Sequence, residues 1–171
     1  FLFGSVFVFL ILFIFQGFDV TDFGFHMTNQ VLSFTSSPDP SIVALPIFLT
    51  DFIGGMWLSI IGSPSVLWAR LGGVLLIALN ASIVYSILQH YFDKEKVFVI
   101  VLVSTLLITM RSGSYIHYFT LPALLVNIEL SIFNKLLLVD RWSKTSSFYG
   151  LLIGFMVIPI ILSRIPLLLI G

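Results

Sequence analysis

Long apolar runs separated by short polar segments set the pattern of the chain. An α-helix needs about 20 mainly apolar residues to cross the hydrocarbon core of a bilayer. The runs therefore predict membrane-spanning helices, the first and third somewhat short, at residues 1–16, 66–89, 97–110, 119–139 and 148–170. The fold class that this pattern predicts is all-α, a polytopic transmembrane helical bundle.

The stretch between the first two spans, residues 17–61, has a different pattern. Its first part is polar and ends in the turn-rich "SSPDP", whereas residues 42–61 are apolar but interrupted by Pro46, Asp51 and the Gly54–Gly55 pair. Such an interrupted run is typical of helices that lie in the membrane interface or re-enter it. We therefore expect an outer loop with interfacial or re-entrant helices, with a full crossing by 42–61 as the alternative.

The composition also favours a membrane protein. Only 9% of the residues are charged, whereas soluble proteins average about a quarter. The net charge is zero and there is no cysteine, so no electrostatic argument favours a nucleic-acid partner, and no disulfide framework or thiolate metal site is expected. Because the chain starts without a methionine and ends within an apolar run, we expect residues 1–171 to be the N-terminal part of one transmembrane domain.

Basic residues near the short turns predict the orientation of the spans. Positive charges collect on the cytoplasmic side of membrane proteins. Such charges flank two turns, namely Lys94, Lys96, Lys135, Arg141 and Lys144. Residues 17–41 contain no lysine or arginine but carry three aspartates, which indicates that this loop is outside. We expect an integral membrane protein whose first span runs outwards.

The remaining arginines, Arg70, Arg111 and Arg164, all fall at predicted outer ends of spans. Charged groups at membrane depth are costly and usually face a cavity or a partner. A guanidinium at the headgroup level suits an anionic phosphate, which it can bind with two hydrogen bonds. The alternative is that each arginine extends its charged end to the interface or pairs with a loop carboxylate.

Titratable side chains follow directly after the first span, in "GFDVTDFGFHMTNQ". On a helix, Asp19, Asp22 and His26 would share one face, where they could form a general base with its modulator or bind a divalent metal ion. Alternatively, the helix begins near Phe23 with Thr21 or Asp22 as its N-cap and lies on the membrane surface with Phe23, Met27 and Phe34 toward lipid. Apart from the divalent metal ion of the first interpretation, these residues indicate no cofactor.

An acid also interrupts the 119–139 span. Glu129 lies in mid-span, where a carboxylate is costly and marks a buried pair or a functional group. Lys135, six positions further on, faces elsewhere on the helix. We therefore expect Glu129 to contact another helix.

Three stretches of the sequence, and the order in which they occur, resemble a known family. Arg70 follows Gly62 at the start of a span in "GSPSVLWARLGGVLL", and "MRSGSYIHYFTLPALL" forms a short outer turn with a descending helix. A later helix, "GLLIGFMVIPIILSRIPLL", combines spaced glycines with Arg164 and Pro166. Together with the acids that begin the first loop, this layout resembles the N-terminal half of the membrane-embedded GT-C glycosyltransferases, the superfamily of the protein mannosyltransferases and aminoarabinose transferases.

The resemblance implies an inverting glycosyltransferase whose donor is a sugar carried on a polyprenyl phosphate. Asp22, with Asp19 as the second candidate, would remove the proton from an acceptor hydroxyl on the outer face of the membrane. Arg70, Arg111 and Arg164 would stabilise the leaving lipid phosphate. The implied partners are the polyprenyl-phosphate donor and membrane lipid.

The chain departs from the family pattern in two places. Its first acids are separated, as "DVTD", whereas many relatives have adjacent acids. Its second outer turn has no acid and carries His117 instead, so His117 and His26 are the candidate modulators of the reaction. Two other functions stay open: a non-catalytic component of polysaccharide export or polymerisation, and a relative that keeps only a scaffold role.

Overall fold

The computed structural model describes residues 1–15, 22–32, 48–112, 116, 119–137 and 144–163. Within these ranges every regular element is an α-helix: α1 (Leu2–Leu12), α2 (Asp22–Leu32), α3 (Phe48–Ile61), α4 (Val66–Leu88), α5 (Lys94–Ser112), α6 (Thr120–Leu137) and α7 (Lys144–Ser163). The prediction of an all-helical fold is therefore confirmed for the described part of the chain.

Among the described residues, three helices are long and apolar enough to cross a membrane, namely α4, α6 and α7. This finding supports the prediction of a membrane protein. α1 and α3 are apolar but have only 11 and 14 residues. These lengths correspond to about 17 and 21 Å, against a hydrocarbon core of about 30 Å. α5 has 19 residues but carries charged residues in its first turn and near its end. How many helices cross the membrane stays a prediction.

A core of buried side chains joins α1, α4 and α5. Its members are Leu2, Val6, Leu10, Val74, Ala78, Ala81, Val97 and Val101. The alanines on α4 allow the helix backbones to approach closely. Since lipid tails are as apolar as these side chains, close packing rather than exclusion of water holds such helices together in a membrane.

Contacts at the two ends show that neighbouring helices alternate in direction. At one end, Arg70 near the start of α4 contacts Ile14 just after α1. At the other end, the ring of Phe98 in α5 lies 5.7 Å from the ring of Phe1 and 6.4 Å from that of Tyr85 in α4. α4 is therefore antiparallel to α1 and α5. We name the first the arginine end, after Arg70, and the second the lysine end, after the lysines that open α5 there.

α6 packs parallel to α4. Asn127 Nδ2 donates to Asn80 Oδ1 at 2.8 Å near the middle of both helices, and the Tyr91 hydroxyl donates to Asn134 Oδ1 near the lysine end. Each bond satisfies polar groups that an apolar environment would otherwise leave unpaired. α7 packs against α6 and also against α3.

Local sequence signals fix where α3, α4 and α5 begin or end. Gly62 has a φ of +71°, which glycine adopts without strain, and its N–H donates back to carbonyls of α3, so α3 ends there. The Ser65 side chain accepts from a backbone N–H of α4 and caps it. Asp93 caps α5 in the same way, which extends this helix beyond the predicted 97–110 span.

Candidate functional site

α2 and α3 form a layer across the arginine end. They pack against each other, and Met27 and Val31 of α2 contact a small core of Leu58 and Ala69, near the end of α3 and the start of α4. The prediction that Met27 faces lipid is therefore wrong, because α3 and α4 cover that side of α2. Among the α2 side chains that the structure describes, Phe25 is the exposed aromatic one, with 52% of its surface exposed.

A polar cluster is buried between α2 and α3. His26 Nδ1 lies 2.9 Å from Asp51 Oδ1, and Asn29 Nδ2 donates to Asp51 Oδ2 at 3.1 Å. The exposed fractions are 2% for His26, 3% for Asn29 and 5% for Asp51. Each carboxylate oxygen thus has its own partner, as a buried carboxylate requires. We name these three residues the His26–Asp51 cluster; it holds one face of α2 against α3.

Gln30 connects this layer to the segment between α5 and α6. Its Nε2 donates to the Ile116 carbonyl oxygen at 2.9 Å. The Gln30 amide lies over Gly54, where an added Cβ would come within 2.3 Å of Gln30 Cδ. Gly54 therefore leaves the space that lets α2 approach α3, and Gln30 joins both helices to the segment that follows Arg111.

We expect Gly54→Ala to destabilise the protein by about 1–3 kcal/mol, because the new Cβ would displace the Gln30 amide and break its bond to Ile116. Thermal unfolding of the detergent-solubilised protein measures the effect. Gly150→Ala is the matched control, since nothing lies within 4 Å of a Cβ there and alanine is the better helix former. Equal melting temperatures for the two variants would contradict the packing at Gly54.

Arg70 lies beside this layer, where α1 ends. Its Nη1 donates to the Ile14 carbonyl oxygen at 2.7 Å, and carbonyls after the end of a helix have no partner within that helix. A guanidinium carries five N–H donors, so it can bind Ile14 and an anionic acceptor at the same time. In the sequence, Ile14 precedes Asp19 by five residues.

The other residues predicted for the site are described only in part. Asp22 is the first residue of α2, and Arg111 is the second-to-last residue of α5. Both backbone positions are thus at the arginine end, while both side chains lie outside the described part of the structure. Asp19, His117 and Arg164 lie outside the described residues altogether.

Asp51 is the site residue that the sequence interpretation missed. The sequence pattern presents it as an interruption of an apolar run, whereas the structure makes it the partner of His26, 25 residues earlier in the chain. The available signal is the spacing of His26, Asn29 and Gln30 on α2. Residues at i, i+3 and i+4 share one helix face, and a polar face that becomes buried needs polar partners.

The His26–Asp51 cluster can orient an imidazole. When Asp51 is ionised, His26 donates through Nδ1–H, and the lone pair of a neutral imidazole is then on Nε2. The same geometry orients the histidine base of catalytic triads. Because the His26 side chain is almost completely buried, a sugar or lipid substrate has no access to it in this conformation. We therefore interpret the cluster as a device that positions α2.

Metal binding was predicted as one use of the acidic residues. Among the described residues, no group of three or more histidine, cysteine, aspartate or glutamate side chains is placed to hold a metal ion. The predicted ligands Asp19 and Asp22 have side chains outside the described part, so the divalent ion stays a prediction.

No protein-family model matches the chain, and comparisons with curated proteins and with solved structures find no match. In the described part of the chain, the fold and the site define a class, an all-helical protein with three helices long and apolar enough to cross a membrane and a buried polar cluster at one end of its helices. Within this class, the resemblance to the GT-C glycosyltransferases stays a prediction.

Proposed function

We propose that the protein is a GT-C type glycosyltransferase, which transfers a sugar from a polyprenyl phosphate to an acceptor on the outer face of a bacterial inner membrane. In this proposal α1, α4, α5, α6 and α7 cross the membrane, and α2 and α3 lie in its outer interface. The exposure of Phe25, Phe48 and Phe52 on α2 and α3 supports the interfacial position, because amphipathic surface helices turn such side chains toward lipid.

The observation that carries the proposal is the position of Arg70. It binds the Ile14 carbonyl oxygen at 2.7 Å, so its charge lies where α1 ends. Arg111 is near the end of α5, and the segment that follows it contains Ile116, which Gln30 of α2 binds. The Arg70 side chain and the backbone positions of Arg111 and Asp22 share the arginine end, and a guanidinium and a carboxylate are the two groups that this transfer requires.

In the proposed reaction, the Asp22 carboxylate, with Asp19 as the second candidate, accepts the proton of the acceptor hydroxyl as its oxygen attacks the anomeric carbon. The bond between that carbon and the phosphate oxygen breaks, and the polyprenyl phosphate leaves with the electron pair. Attack opposite the leaving group inverts the configuration. Arg70, with Arg111 and Arg164, stabilises the charge on the departing phosphate.

The His26–Asp51 cluster has a supporting role in this proposal. It fixes α2, the helix that begins with Asp22, on α3. A rigid helix that is fixed by hydrogen bonds holds a catalytic base in the correct position. The reaction is then slowed less by misalignment of the base. His26 therefore acts as a modulator rather than as a group that touches substrate, and His117 in the second outer turn is the second candidate modulator.

We expect Arg70→Met to raise the KM for the polyprenyl-phosphate donor by about 10- to 100-fold, because a charge-assisted hydrogen bond to phosphate is lost. The assay follows sugar transfer from a polyprenyl-phosphate donor into envelope glycan, with the full-length protein in native membranes. Lys96→Met removes a positive charge from the lysine end and should leave this KM unchanged. Equal donor KM values for Arg70→Met and the unmodified protein would rule out the phosphate role.

The same assay tests the function itself. Membranes that contain the protein should convert the donor to glycosylated product and free polyprenyl phosphate, and membranes without it should not. Equal conversion in both membranes would overturn the proposal.

The alternative is a non-catalytic component of polysaccharide export or polymerisation. The observation in its favour is the Asn80–Asn127 pair near the middle of α4 and α6, since polar side chains at that depth can line a path. These two amides bind each other, however, and such bonds also hold transmembrane helices together. Normal sugar transfer with lost export in membranes without the protein would favour this alternative.

A further inference from the structure

Glu129 carries a carboxylate in the middle of a membrane-length helix. It is the tenth of the 18 residues of α6, and its side chain is half-buried. No hydrogen bond or ion pair joins it to another residue in the described part of the chain. Asn127, two positions earlier on the same helix, is by contrast bonded to Asn80 of α4. In the described part of the chain Glu129 thus has no hydrogen-bond or ion-pair partner on another helix, and its predicted contact with another helix stays a prediction.

The helix face beside Glu129 is apolar and exposed. Val126 and Phe133, three positions before and four positions after, are its neighbours on the helix surface. Their exposed fractions are 37% and 45%. Leu130 and Leu137 continue the same face and are also exposed. We name this surface the α6 stripe: Val126, Leu130, Phe133 and Leu137.

Neither lipid nor a second copy of the chain suits both the stripe and the acid. Lipid tails cover an apolar stripe well, but they leave a mid-membrane carboxylate without a partner, which is costly. A second copy packed stripe to stripe about an axis along the membrane normal would bring two Glu129 side chains together. Two carboxylates at one site repel each other when both are ionised. An ionised Glu129 therefore needs a partner of opposite charge.

We propose that the α6 stripe binds a partner transmembrane helix, outside residues 1–171, that carries a lysine or arginine at mid-membrane depth. The apolar side chains of this helix pack on the α6 stripe, and its basic side chain forms an ion pair with Glu129. The inference does not rest on the proposed sugar transfer, because Glu129 lies about halfway along α6 and outside the cluster at the arginine end.

Cross-linking from the stripe identifies the occupant. A photoreactive amino acid is placed at position 130 of the full-length protein in its native membrane, and the cross-linked segment is sequenced. The expected product is an apolar segment of about 20 residues with one lysine or arginine near its middle. Position 155 in α7 is the control, since Phe155 is also exposed but has no acid beside it. Cross-links only to lipid, to α6 of a second copy, or to a segment without a basic residue would overturn the proposal.

Charge exchange then tests the pair itself. Glu129→Gln should lower the cross-linking yield from position 130 at least about tenfold, because the partner's buried charge loses its counter-charge. Glu95→Gln, an exposed acid at the lysine end, should leave the yield unchanged. Glu129→Lys should abolish the cross-link, and replacing the partner's basic residue by glutamate should restore it. An unchanged yield in Glu129→Gln, measured on protein that accumulates normally, would overturn the proposal even if Glu129→Lys fails to fold.

Discussion

We expect Asp22→Asn to abolish detectable sugar transfer, with the rate falling by about 10²- to 10⁴-fold, while the protein still accumulates in the membrane. The amide keeps the shape of the carboxylate but cannot accept the proton of the attacking hydroxyl. Asparagine is also favoured at the start of a helix, so α2, which begins at Asp22, should keep its start. The measurement is the amount of envelope glycan product at matched protein level.

Asp93→Asn is the matched control for this experiment. Asp93 also lies at the start of a helix, where its Oδ1 accepts from the N–H groups of Glu95 and Lys96, but it lies at the lysine end. This variant should leave the product unchanged. If Asp22→Asn left the amount of glycan product unchanged, the role of Asp22 would be limited to starting α2. If Asp19→Asn were also without effect, the transferase proposal would fail and the transport or scaffold alternative would stand.

The long helices could be predicted from the sequence because their signals are local. The apolar runs alone predict α4, α6 and α7. The cap at Ser65 agrees with the predicted start of α4, whereas the cap at Asp93 starts α5 before the predicted span. α3 is different, since Asp51 and the Gly54–Gly55 pair interrupt its apolar run. Packing against α2, α4 and α7 keeps these residues helical, and tertiary contacts of this kind routinely override local propensity.

Only part of the candidate site could be predicted from the sequence. The position of Arg70 follows from counting residues along spans, and the structure puts this side chain where α1 ends. The pairing of His26 with Asp51 could not be predicted, because it depends on how α2 is rotated relative to α3. That rotation is set by the close approach at Gly54. The wrong prediction for Met27 has the same cause, since it assumed that lipid rather than α3 and α4 covers that side of α2.

The largest loss of stability is expected for Asp51→Ala. The alanine removes the acceptor of both His26 Nδ1 and Asn29 Nδ2 in a site that water hardly reaches. We expect the free energy of unfolding to fall by about 2–6 kcal/mol, because two buried donors each lose their acceptor at a cost of about 1–3 kcal/mol. Unfolding of the detergent-solubilised protein by heat or denaturant measures this loss.

Asp51→Asn separates the shape of this side chain from its charge. Its amide oxygen can still accept one of the two bonds, but its NH₂ group then faces the other donor, so we expect an intermediate loss of about 1–3 kcal/mol. Glu95→Gln, at an exposed position, should have no measurable effect. If both Asp51 variants were as stable as Glu95→Gln, the buried cluster would not hold α2 on α3.

Since this cluster positions the helix that begins with Asp22, Asp51→Asn should lower kcat and leave the donor KM unchanged, whereas Arg70→Met should raise that KM.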